Sequence, residues 1–150
     1  MKHLYYILIL LLAAGSCSYP CGKSDGLRIN FVSYQPDQLY NFSISRYQTG
    51  TNFSQLLNTM SFDSAQLRFR QSNDTLSLAY FTSDALLPSG FDYKIFIPST
   101  NTTYGITDLN EPQKTGIKNG QKVYCMNQIV SCKLNGTTQT LFYEDLYLKK

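Results

Sequence analysis

Four cysteines, one histidine and ten acidic residues are the side chains of this 150-residue chain best suited to chemistry. The histidine is His3, just ahead of an apolar N-terminal stretch, so residues 17–150 hold none. That removes Ser-His-Asp and Cys-His nucleophiles, histidine metal ligation and the usual base at neutral pH. Glu144 and Asp145 are adjacent; on a strand they face opposite sides and cannot work as an acid–base pair. Asp108, Asn110 and Glu111 offer oxygen ligands that calcium would accept, without the glycine or spacing of a calcium loop, so an ordinary polar turn is expected. Arg68 and Arg70 share one strand face, which is either solvated or turned to an anionic partner. No glycine-rich phosphate loop occurs. On these grounds no catalytic residue, no metal ligand and no cofactor is assigned, and the chain is read as a non-enzyme.

The N-terminus carries a different kind of signal. Lys2 precedes an apolar run, Leu4 to Leu12, followed by small residues Ala13 to Ser16 and then Cys17. A basic start, a short apolar core and small residues before a cut define an export signal. The run is far below the roughly 20 residues of a spanning helix. Ala14-Gly15-Ser16-Cys17 resembles a bacterial lipoprotein lipobox, departing from it at the third position before the cysteine, where leucine is usual and Ala14 stands. Looser versions of the motif are found among Bacteroidota lipoproteins. The resemblance implies that Cys17 becomes the diacylglyceryl-modified N-terminus, with palmitate-like chains making the membrane a partner. Ordinary cleavage after Ser16 is the alternative, because Ala14-x-Ser16 suits that protease too. The domain reading is a signal over 1–16, a lipidated tether over 17–26 and one domain over 27–150. Only Asp25 represents the acidic run that sends some such lipoproteins to the cell surface. The expected location is therefore the cell envelope, on the periplasmic face of the outer membrane.

With Cys17 carrying lipid, Cys21, Cys125 and Cys132 remain in an oxidising compartment. On one continuous strand Cys125 and Cys132 would lie about 23 Å apart, at roughly 3.3 Å per residue, too far to bond. A chain reversal near Asn127-Gln128 would bring them together, and this is the preferred pairing. Cys21 is then free, or pairs with one of them instead. Without lipid on Cys17, two bridges from the tether to the 125–132 region become available.

The chain after the signal is rich in Ser, Thr and Asn and holds ten tyrosines, a composition that favours strands. Net charge is +3 over the whole chain. The basic residues are scattered, which argues against nucleic acid as a partner. Alternation marks strands over 27–34 and 39–47. Residues 53–62 are ambiguous, either a helical turn or an irregular strand. Leu67–Gln71 and Thr75–Tyr80 flank a polar turn and read as a hairpin over 66–81. Tyr93–Ile97 is nearly all apolar, as in a central strand covered on both faces, and Thr103–Leu109 follows. Asn119-Gly120 and Asn135-Gly136 are tight-turn dipeptides, the second lying between alternating runs 129–134 and 140–147. Eight or nine short strands without a long helix predict an all-β fold, an antiparallel β-sandwich of immunoglobulin or transthyretin-like type.

Exposed tyrosines could cover sugar faces, although alternation assigns most of them to packing. Asn41, Asn52, Asn73, Asn101 and Asn135 each begin an N-x-Ser/Thr triplet, a pattern that an Asn- and Thr-rich chain produces by chance. Asp63-Ser64-Ala65 and Asp74-Thr75-Leu76 resemble the Bacteroidota O-glycosylation pattern. Together with the lipobox and the aromatic composition, the stretch D-Y-K-I-F-I-P-S-T-N-T-T-Y-G-I-T-D-L (92–109) resembles small Bacteroidota lipoproteins of unknown function. The expectation is a non-enzymatic binding or scaffolding module for an envelope protein. The alternative is a glycan-binding module using exposed tyrosines.

Overall fold

The computed structural model describes residues 19–63, 67–78 and 86–150. The signal, Cys17 and the Ser64-Ala65 pair of the first O-glycosylation triplet lie outside them. The chain divides into two compact units. The larger is Lys23–Pro112 with Gln128–Lys150; the smaller, in its described part, is residues 19–22 with 113–127.

The larger unit is the expected all-β sandwich. Its strands are β1 (Arg28–Val32), β2 (Phe42–Gln48), β3 (Leu56–Phe62), β4 (Phe69–Ser72), β5 (Thr75–Leu78), β6 (Phe91–Ile97) and β7 (Thr102–Asn110). After the residues of the smaller unit, which contribute β8 (Ile117–Lys118) and β9 (Gln121–Lys122), come β10 (Ser131–Leu134), β11 (Thr137–Thr140) and β12 (Asp145–Lys149). One sheet has the order β12-β1-β5-β4 and the other β11-β10-β7-β6-β2-β3. Pairing is antiparallel except between β1 and β12, which run parallel.

Period-two alternation sends one set of side chains from each sheet into a shared core. Ile29 and Phe31 of β1, Leu76 of β5, and Leu146 and Leu148 of β12 come from one side. Phe42, Ile44, Tyr93, Ile95, Ile97, Tyr104 and Ile106 come from the other. Phe42 stacks on Phe62 at 4.9 Å between ring centroids and meets Phe31 of the opposite sheet edge-on at 5.5 Å. The ambiguous 53–62 region contains edge strand β3. β6 is central, as expected, but one face stays partly open: Lys94 is half-buried and Phe96 exposed.

The asparagines explain much of the loop chemistry. Asn41, Asn52, Asn73, Asn101, Asn119 and Asn135 all have φ between 49° and 63°. Asparagine tolerates this left-handed region better than most residues. Every N-x-Ser/Thr asparagine therefore has a turn to make. Asn135-Gly136 closes a two-residue hairpin whose return strand is β11. The following run, expected from its alternation to complete that hairpin, leaves instead to form β12 in the other sheet.

The smaller unit departs from the tether expectation. Pro20 bridges Thr115 and Gly22 bridges Met126, while Gly116 N–H donates to Tyr19 O. A Cβ on Gly116 would meet Val123 O at 2.4 Å and Cys125 Sγ at 2.8 Å, so the close approach requires glycine. The disulfide joins Cys21 to Cys125, with Cα atoms 4.9 Å apart, and Cys132 is a free buried thiol. The Cys125–Cys132 pairing is thus corrected. No hairpin forms at Asn127-Gln128, because Asn127 N–H bonds Gly22 O and its side chain accepts from Lys114 N–H. Cys132 meanwhile points into the sandwich core.

Burial pushes the Cys132 thiol up from 9.0 to about 11. It also pushes the Tyr93 hydroxyl up from 10.0 to about 12, against a smaller opposing effect of Arg46. Both groups are neutral when protonated, so the folded state holds the proton more tightly than the unfolded one. Their stabilisation is complete below the unfolded values and is lost as pH rises through the folded ones. We expect stability to fall between pH 9.0 and about 12, with each group contributing about 2–3 kcal/mol. Denaturant titrations of the natural chain and Cys132→Val across this range check it. The gap between the two should change by about 2–3 kcal/mol up to pH 11 and then stay level.

Candidate functional site

Alternation that buries Ile29 and Phe31 turns Arg28 and Asn30 of β1 to the outer face of the four-stranded sheet. Register then assembles a row from residues far apart in sequence. Asn30 lies beside Tyr147 of β12 on one flank and Ser77 of β5 on the other. Ser77 lies beside Arg70 of β4, and Arg28 beside Asp145 of β12. These six side chains line an open furrow of about 440 Å³.

The floor of the furrow is a hydrogen-bonded chain. Ser77 Oγ donates to Asn30 Oδ1 at 2.6 Å, and Asn30 Nδ2 donates to Asp145 Oδ1 at 3.2 Å. Arg28 Nε lies 3.0 Å from the same oxygen, and Arg28 Nη2 donates to Asp145 Oδ2 at 3.3 Å. Asn30 is buried, so its amide is fixed in orientation by both partners. A second furrow of about 490 Å³ shares Arg28 and is bounded by Asp25, Gln128, Tyr143 and Glu144.

Between the two furrows lies a strained turn. Asp145 N–H donates to Phe142 O at 3.1 Å, with Tyr143 at φ 53° and Glu144 at φ 63°. Neither residue type favours this region, and each such residue costs about 1–2 kcal/mol. The surroundings over-determine it. Glu144 Oε1 accepts from Ile129 N–H at 2.8 Å and from the Ser24 hydroxyl. Arg28 N–H donates to Glu144 O at 2.9 Å, and the Arg28 guanidinium to Tyr143 O. The result is a fixed display: Phe142 is 75 % and Tyr143 68 % exposed, their rings edge-to-face at 4.4 Å. Tyr147, 50 % exposed, stands on the other side of Arg28 along β12. Strain held this way clusters at functional sites.

The residues singled out in the sequence separate. Arg70 reaches the furrow; Arg68 precedes β4 and donates to Leu67 O. Asp108 pairs with Lys133 at 2.8 Å, and Glu111 accepts from Ser24 N–H at 2.7 Å and from the Ser89 hydroxyl. Among the described residues no three His, Cys, Asp or Glu side chains gather as a metal site. Glu144 and Asp145 do turn to different tasks. Of the tyrosines, Tyr34, Tyr93 and Tyr104 are core residues, whereas Tyr143 and Tyr147 border the furrows. In the second O-glycosylation triplet, Thr75 is the first residue of β5, its hydroxyl 3.3 Å from Asp74 Oδ1. Nothing in the sequence marked Arg28, Asn30 or Ser77 beyond their polar positions in alternating strands. No family model, curated protein or solved structure matches the chain.

Proposed function

We propose that this chain is a binding module held in the cell envelope by acyl chains on Cys17, and that it takes carbohydrate on the furrowed face. The reading is non-enzymatic. The observation that carries it is the strained Tyr143-Glu144 turn, which spends backbone energy to hold two aromatic rings in solvent beside a polar furrow. A pyranose ring has an apolar C–H face and rows of hydroxyls. Tyr143 and Tyr147 suit the first. Arg28, Asn30, Asp145 and Ser77 supply fixed donors and acceptors for the second. Asp145 and Glu144 are already engaged as hydrogen-bond acceptors, which fits recognition better than proton transfer.

Titration calorimetry against oligosaccharides tests the ligand. Tyr147→Ala should weaken binding roughly tenfold, about 1.4 kcal/mol. Tyr143→Gly should weaken it as much while raising stability by about 1 kcal/mol, because glycine accepts the left-handed backbone. Saccharide binding untouched by both variants, or no saccharide binding at all, would overturn the site. Intact mass of membrane-extracted protein tests the anchor: a chain starting at Cys17 plus acyl groups is expected.

A protein partner is the second reading, favoured by β3. This strand is at the edge of the six-stranded sheet and exposes Leu56 and Leu57, a surface for strand addition. A defined envelope protein captured by the natural chain and lost with Leu56→Lys would move the assignment there.

A further inference from the structure

The described part of the smaller unit starts at Tyr19, two positions after Cys17 in sequence, and its composition is one-sided. Its described residues include Lys114, Lys118 and Lys122 and no carboxylate, so it carries three positive charges. All three lysines are exposed. Around them stand large apolar side chains that packing does not cover: Tyr124 is 85 % exposed, and Tyr19, Ile117 and Val123 are exposed as well. The β8–β9 hairpin pairs Ile117 with Lys122, placing an aliphatic and a cationic side chain together on one hairpin face. Lys122 Nζ also lies 5.4 Å from the Tyr19 ring centroid. The disulfide and the bridges at Pro20 and Gly22 hold both chain segments of this unit together.

Exposed tyrosines with interspersed lysines suit a bilayer interface, where rings settle at the headgroup level and ammonium groups meet lipid phosphates. We propose that the smaller unit is a membrane-contacting foot that docks on an anionic lipid surface. Its occupant is the headgroup layer of the bilayer, chosen by charge complementarity and by the two-residue distance to the proposed acylation site. Acyl chains and a basic patch would then act together, each adding to membrane residence. The inference rests on the anchoring at Cys17 for its setting, but its chemistry is independent of acylation.

The test uses the mature chain from residue 17 with Cys17→Ser, which can carry no lipid. It is sedimented with vesicles of phosphatidylcholine alone or mixed with phosphatidylglycerol. Binding should require phosphatidylglycerol and fall as salt rises. Lys118→Gln should weaken it about fivefold, and Lys118→Gln with Lys122→Gln about 25-fold. Tyr124→Ser should weaken it further with no change in charge. Lys23→Gln with Lys150→Gln removes the same charge from the larger unit and should change binding by less than about twofold. Equal affinity for both vesicle types, no vesicle binding, or equal losses from the two double variants would overturn the proposal. A natural protein whose mass shows no acyl groups, yet whose unacylated form still binds in this pattern, would remove the anchor and leave the foot standing.

Discussion

Phe42→Ala should cost the larger unit about 3–5 kcal/mol, the usual range for deleting a buried aromatic ring. Phe42 is fully buried on β2 and touches aromatic rings from both sheets: Phe62 of its own and Phe31 of the other. Removing it leaves a void whose lining belongs to both layers, so neither sheet can close it without moving against the other. Two ring pairs disappear with it, each worth about 0.5–1.5 kcal/mol beyond area burial. Against a typical total of about 5–15 kcal/mol, this is roughly a fifth or more of what holds a domain folded. Denaturant titration measures it, with the slope unchanged if the native state stays compact. Phe42→Leu should recover more than half of the loss. A cost below about 1 kcal/mol for alanine would show that the ring is not clamped between the layers.

Cys125→Ser should release the smaller unit while the larger stays folded. Among the described residues of this unit, Cys21 is the only buried hydrophobic side chain. The hydrophobic effect can therefore contribute little, and the Cys21–Cys125 bond with a few backbone hydrogen bonds carries the structure. Its ends are 104 residues apart, for which chain entropy gives about 4.7 kcal/mol. The folded sandwich shortens the effective loop, so about 2–4 kcal/mol is expected. Amide exchange reads the outcome position by position. Cys21, Gly116 and Val123, whose N–H groups bond Lys114 O, Tyr19 O and Gly116 O, should lose protection. Amides of β2, β6 and β7 should keep theirs, and mild reduction of the natural chain should reproduce the pattern. A Gly116 amide still protected in the variant would refute this account.

The sandwich was legible wherever alternation and turn chemistry agreed. β1, β2, the β4–β5 hairpin, β7 and the Asn135-Gly136 turn follow from local patterns a few residues long. β3 was obscured because most of this edge strand is exposed, and only Phe62 and part of Met60 reach the core, too short an apolar period to show. What needed long-range information was lost. The disulfide depends on Pro20 and Gly22 finding Thr115 and Met126, and no local pattern in a Pro- and Gly-rich segment announces a partner about a hundred residues on. The furrow is hidden for the same reason. Arg28, Asn30, Arg70, Ser77 and Asp145 become neighbours only through the register of four strands. The left-handed turn at Tyr143-Glu144 contradicts the preferences of both residues, so propensity alone would place it last.

The parallel pairing of β1 with β12 has a kinetic consequence. Arg28 and Asp145 are 117 positions apart, so one side of β1 stays open until β12 has been made. Contacts between such distant residues make folding slow, because loop closure must precede the contacts that reward it. A chain emerging from the ribosome can form the β4–β5 hairpin early, but it cannot lock the four-stranded sheet. Under the export proposed above, this delay would be useful. The chain would enter a translocation channel unlocked, and the sheet would close on the far side once β12 had come through.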